Sequence, residues 1–125
     1  MTFRHALALL LFAFSCASIQ AGDAKTLVAE LRKEFQPGLP LARAQELLKA
    51  RNTTYSLRSA AECEALVKEA RTAVNLAPRG GPCIFGKIPV SRTWYGARSD
   101  VILQLVFTAD GRMVDGNFEA IETFL

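Results

Sequence analysis

The chain has 125 residues, with 15 Lys and Arg against 12 Asp and Glu for a net charge of +3, and half of its residues are hydrophobic. That length suits one domain, and so mild an excess of cations does not make a nucleic-acid-binding surface. The only histidine is His5, so the rest of the chain cannot build a Ser-His-Asp triad, a Cys-His nucleophile pair or a histidine-based metal site.

The first residues have the layout of a secretory signal peptide. Residues 1–5 form a short basic region, residues 6–14 an apolar core, and residues 15–21 are mostly small, with Ile19 and Ala21 at the third and first positions before a cut. A membrane-spanning helix needs about 20 apolar residues, and this run stops well short. The expected organisation is a signal peptide over residues 1–21 and a single α+β domain over residues 22–125, exported to the periplasm or secreted. Removing Arg4 with the signal leaves a net charge of +2. Cys16 opens an alternative. A bacterial lipobox usually places Leu and then two small residues ahead of an acylated cysteine; Ser15 fits, Ala13 is a poor match and Phe14 a bad one. Lipidation at Cys16 would make the protein an outer-membrane lipoprotein. On the other reading Cys16 leaves with the signal.

The first predicted helix covers residues 23–35, with Leu27, Val28, Leu31 and Phe35 on one face, Asp23 as its cap and "QPG" as its stop. A second follows at "LPLARAQELLKAR", with Leu41, Ala44, Leu47 and Leu48 on one stripe. Pro40 suits its first turn, where a missing N–H costs nothing. "NTTYSLRS" breaks the pattern and has room for a short strand; Asn52-Thr53-Thr54 in it is a formal glycosylation sequon of little specificity.

Ser59 and Glu62 have the spacing of a capping box, which opens a third helix with Cys63, Leu66, Val67, Ala70 and Val74 as its apolar stripe. This gives Glu62 a structural task and leaves Glu64 on the solvated face. With Cys16 gone, Cys63 and Cys83 are an even pair in an oxidising compartment, and a disulfide between them is expected. Closing a loop of this size stabilises the fold by about 3 kcal/mol in the chain-entropy model. Two buried thiols are the alternative, and a zinc site lacks nitrogen partners.

After "RGGPC" the period changes from helical to alternating. "CIFGKIPV" and "SRTWYGA" read as one or two strands, and Pro89 excludes a central place in the sheet at that point. "DVILQLVFT" alternates cleanly, with Val101, Leu103, Leu105 and Phe107 on one face and Ile102, Gln104, Val106 and Thr108 on the other. The Asp-Gly of "ADGR" signals a hairpin into a last strand, "RMVDGNFEAI". The fold class is α+β: two to three N-terminal helices packed on one face of a three- to four-stranded antiparallel sheet.

"FQPGLPLARAQELLKARNTTYSL" together with "VILQLVFTADG" resembles the small exported bacterial domains of the SmpA/OmlA-like and β-lactamase-inhibitor-like group. The resemblance implies a non-enzymatic role, either in envelope assembly or in binding and inhibiting another protein. It assigns no functional residue. The third helix with Cys63 and the poor lipobox depart from the group's pattern.

Residues 71–98 hold five cations (Arg71, Arg79, Lys87, Arg92 and Arg98) and no acid. Trp94 and Tyr95 stand between the last two, and strand alternation through this point puts Arg92, Trp94 and Gly96 on one face. A sole Trp in a small domain is ordinarily a core residue with arginines as its solvated border. The alternative is an interaction surface of Arg92, Trp94, Tyr95 and Arg98, with Trp94 as an exposed anchor. Which side Trp94 takes decides between them.

The reading is a non-catalytic protein that binds another protein or an anionic envelope component. It uses no cofactor, no metal and no nucleic acid, and meets a membrane only through Cys16. An inhibitor or immunity protein for a secreted enzyme is the nearest alternative. A minor hydrolase working through two carboxylates is the alternative from another class.

Overall fold

The computed structural model describes residues 23–69 and 76–124. The expected signal peptide, Cys16, the Asp23 side chain and the stretch holding Ala70, Arg71 and Val74 lie outside that description. Among the described residues, chain order is α1 (Asp23–Glu34), α2 (Leu41–Ala50), β1 (Thr54–Arg58), α3 (Ala60–Glu69), β2 (Cys83–Arg92), β3 (Ala97–Phe107) and β4 (Met113–Phe124). The strands form one antiparallel sheet in the order β1-β2-β3-β4. The class is α+β, as the change of period along the sequence implies.

α1 and α2 cover one face of the sheet. Leu31 from α1, Phe35 just past its end, and Ala44 and Leu48 from α2 are buried with Ile84, Ile88, Val101, Leu103, Leu105, Phe107, Met113 and Phe118. The apolar alternation of β3 therefore supplies one whole row of this core, and Phe35 meets Phe118 with ring centroids 5.9 Å apart. Leu27, Val28, Leu41 and Leu47 pack at its border. Arg51, just past α2, pairs with Glu34 at the end of α1 and ties the two helices together.

α3 sits against the other face. Successive residues of a strand point to opposite sides, so Cys83, one position before Ile84, faces away from α1 and α2. There it forms a disulfide with Cys63 of α3 at a Cα separation of 6.2 Å. Val106 is buried with the pair, and Leu76, Phe85 and Val114 pack around it. Two helices thus share one face as expected, while the third is stapled to the opposite one. Val67, assigned from its spacing to the buried stripe of α3, is 40% exposed, because this second cluster is small and Cys63 occupies its centre.

Local sequence explains the path to the staple. Ser59 and Glu62 form the expected reciprocal cap, with the Glu62 N–H donating to Ser59 Oγ at 3.3 Å and the Ser59 N–H to Glu62 Oε1 at 3.4 Å. In "RGGPC", a Cβ on Gly81 would lie 2.0 Å from the Thr108 carbonyl oxygen, so only glycine lets the segment pass this close to the end of β3. The Phe107 N–H then donates to the Pro82 carbonyl at 3.0 Å and delivers Cys83 into β2. The disulfide fits an oxidising compartment. No helix among the described residues is long and apolar enough to cross a membrane.

Pro89 lies beyond the reach of β1, which pairs only with Cys83 to Lys87. Among the described residues β2 is an edge on that side, and its register with β3 shifts between Pro89 and Ser91. The proline thus sits at an edge and beside an irregularity, where its missing N–H is tolerated.

Candidate functional site

The β2–β3 hairpin closes over residues 93–97, and its geometry decides where Trp94 points. The Thr93 N–H donates to the Ala97 carbonyl at 2.8 Å, and the Gly96 N–H to the Thr93 carbonyl at 3.3 Å. Thr93 Oγ1 accepts from the Ala97 N–H at 3.0 Å and donates back to the Ala97 carbonyl at 3.2 Å. Gly96 has φ +92°, the left-handed position that closes a three-residue hairpin loop. Trp94 and Tyr95 occupy the centre of this turn, not a strand.

Trp94 is 95% exposed and Tyr95 61%. Their rings meet edge to face with centroids 5.5 Å apart, a favoured aromatic geometry. The expectation of a core tryptophan is overturned. So is the alternation that put Arg92, Trp94 and Gly96 on one strand face, because β2 ends at Arg92 and β3 starts at Ala97.

A second hairpin in the same molecule shows what the turn itself requires. At residues 108–112 the Thr108 N–H donates to the Arg112 carbonyl at 2.8 Å, and the Gly111 N–H to the Thr108 carbonyl at 2.9 Å. Thr108 Oγ1 accepts from the Arg112 N–H at 3.2 Å, and Gly111 has φ +81°. Both turns use threonine first and glycine fourth. The two central residues are Trp-Tyr in one and Ala-Asp in the other. The backbone is built without aromatic help, so Trp94 and Tyr95 are not there to make the turn.

No family model, curated protein or solved structure matches this chain. Whatever the site does must be argued from its own chemistry.

The two arginines of the candidate surface differ in kind. Arg92 is exposed at the end of β2, opposite Arg98 in the register. Arg98 is bent along its own strand, with Nε 3.0 Å from Asp100 Oδ2. Asp100 is 3% exposed, and its Oδ1 is buried with no hydrogen-bond partner among the described residues. Arg98 therefore compensates a buried carboxylate, and the side chains that project from the tip are Arg92, Trp94 and Tyr95. Of the other cations, Lys87 and Arg79 are exposed away from the tip, and Arg71 lies outside the described residues.

Two acids elsewhere, Glu62 and Asp110, serve local structure. The Glu62 carboxyl is held below the ordinary glutamate value, first by the Ser59 backbone N–H, then by the Ser59 hydroxyl and Arg58. Asp110 is lowered by the Thr108 hydroxyl, then by its own backbone N–H and by Arg112. A general acid for glycoside cleavage needs its pKa raised; both of these move the other way. No group of three or more His, Cys, Asp or Glu able to hold a metal ion occurs among the described residues.

Strand alternation misplaces the tip because the alternation does not run through a turn. The signal was present: "TWYGA" and "TADGR" share threonine and glycine three residues apart. Reading the second as a turn licenses the same reading of the first.

Proposed function

We propose that this is a small exported protein that acts by binding another protein of the cell envelope, not by catalysis. Trp94 and Tyr95, with Arg92 beside them, anchor that contact. The observation that carries this reading is the pair of turns: one backbone, built once with Ala-Asp and once with two aromatics left in water. A tryptophan side chain can remove about 150–250 Å² from solvent, which at about 25 cal/mol per Å² is worth about 5 kcal/mol on burial. The fold does not collect that term, and a partner can. Trp, Tyr and Arg are also the residue types that dominate binding energy at protein interfaces.

Arg92 suits an acidic patch on the partner, or an anionic envelope polymer in its place. Export is supported by the signal-like N-terminus and by the disulfide. Retention and acylation of Cys16 would add an outer-membrane anchor; its removal would leave the protein free in the periplasm or outside. The resemblance to SmpA/OmlA-like and inhibitor-like domains points in the same direction. One feature favours the inhibitor reading in particular: a convex tip fits the concave cleft of an enzyme.

A photo-crosslinking residue at position 95 tests the anchor directly. In the envelope fraction of the producing cell it is expected to give one dominant adduct. Trp94→Ala should reduce that adduct about 30-fold, the effect of losing a hot spot of about 2 kcal/mol, and Arg92→Glu should weaken it further. An adduct unchanged by both substitutions would sink the proposal.

A further inference from the structure

The chain adds a strand to one edge of its own sheet. Pro40 bridges Arg112 in antiparallel fashion. On either side of it the Gly38 N–H donates to the Met113 carbonyl at 2.8 Å, and the Met113 N–H to the Leu39 carbonyl at 2.9 Å. The Leu41 N–H reaches the Gly111 carbonyl at 2.9 Å. The outer edge at the start of β4 is thus already used as a docking rail for an extended segment. β4 itself runs on to Phe124 as the border strand, with β3 on one side and no strand on the other among the described residues.

The two borders of the sheet are treated differently. Where β1 stops, the rest of the β2 edge holds Pro89 and a register shift, both of which discourage pairing. From Asp115 to Phe124, β4 has no proline and keeps an unbroken register with β3. What β4 has instead is charge: Asp115, Glu119 and Glu122, and no Lys or Arg. Asp115 pairs with Val106 and Glu119 with Ile102, so both carboxylates stand on the face that holds α3. Phe118 and Ala120 pair with Leu103 and Val101 and stand on the face that holds α1 and α2.

We propose that the outer edge of β4, from Asp115 to Thr123, is a strand-addition site for a basic extended segment of another protein. Backbone hydrogen bonds supply affinity in such a site, and alternate side chains supply specificity. Carboxylates four residues apart on one face call for Lys or Arg at positions i and i+4 of the incoming strand. Apolar residues at i+1 and i+3 then stack over Gly116 and beside Phe118. A second copy of β4 is the wrong occupant, because it would line one seam with six carboxylates, and like charges across a strand pair are destabilising. This site is separate from the Trp94 tip, and either can fail while the other stands.

The test uses the purified protein with its disulfide intact and one acetylated, amidated probe peptide, Thr-Lys-Val-Thr-Val-Lys-Thr. Bound peptide is expected to slow amide exchange within residues 116–123 and to leave the amides of Trp94 and Tyr95 unchanged. Two N-methylated versions of the peptide separate strand pairing from simple charge attraction. Methyl groups on the edge facing β4 should abolish binding, and the same number one residue out of phase should not. Asp115→Lys with Glu119→Lys should weaken the unmodified peptide about tenfold; if that variant does not fold, the N-methyl pair on the native protein decides alone. Equal binding of the two N-methylated peptides overturns the proposal. So does unaltered β4 exchange at millimolar peptide, or dimerisation of the protein alone through this edge.

Discussion

Replacing Trp94 by alanine separates a binding tryptophan from a folding one. With 95% of the residue exposed, the native contacts of Trp94 withdraw only about 10 Å² from water, worth about 0.3 kcal/mol. The edge-to-face contact with Tyr95 adds about 0.5–1 kcal/mol. The substitution also leaves "TAYG" at the tip, with alanine where the second hairpin carries Ala109, so the turn loses nothing that it requires. The expected loss of stability is about 1 kcal/mol, a fall in Tm of about 4–8 °C for a domain of this size. Thermal and urea unfolding followed by far-ultraviolet circular dichroism measures it without relying on the tryptophan that has been removed. A buried aromatic cut to alanine costs about 3–5 kcal/mol. A loss in that range would mean that Trp94 packs against something in the folded protein, and the argument from the two turns would fall.

Cys63→Ser with Cys83→Ser should cost about 3 kcal/mol and release α3 from the sheet, seen as faster amide exchange in α3 than in α1 or α2; equal exchange would contradict the two-faced core. Arg98→Ala should cost about 1–3 kcal/mol by leaving Asp100 buried and uncompensated, whereas Arg92→Ala should stay within about 0.5 kcal/mol. Matched urea titrations compare them, and equal effects would refute the division between the two arginines. The lowered pKa of Glu62 gives its cap a defined pH sense. The stabilisation is present above the unfolded-state pKa of a glutamate and is lost as pH falls through the lower folded value. Glu62→Gln should therefore flatten the acid limb of the stability profile, and an unchanged limb would remove the cap from the account.

Most of the architecture was legible because burial leaves a period. Leu31 in α1, Phe35 just past it, Ala44 and Leu48 in α2, and Val101, Leu103, Leu105 and Phe107 in β3 are buried as their spacing requires. The Ser59–Glu62 cap, the Cys63–Cys83 bond and the edge position of Pro89 were legible for chemical reasons: a reciprocal hydrogen bond, an even thiol pair and a missing donor. The face taken by α3 was not. Its stripe says that one side is buried, but the parity of Cys83 against Ile84 in β2 decides which layer receives it. Arg98 could not be told from Arg92 either, since its partner Asp100 becomes buried only once the strands align. The β4 edge is a property of strand order, to which no local pattern corresponds.

Cys83 and Arg92 are the two ends of β2, so the covalent staple and the aromatic tip are separated by one strand of about 30 Å. A tug on a docked tip therefore enters the domain along the strand axis. It is carried by β2 and β3 side by side, loads their hydrogen bonds to β1 and β4 in shear, and along β2 ends at a bond that does not slip. The small second cluster beside α3 thus gives the tip a fixed mechanical footing at the far end of the sheet.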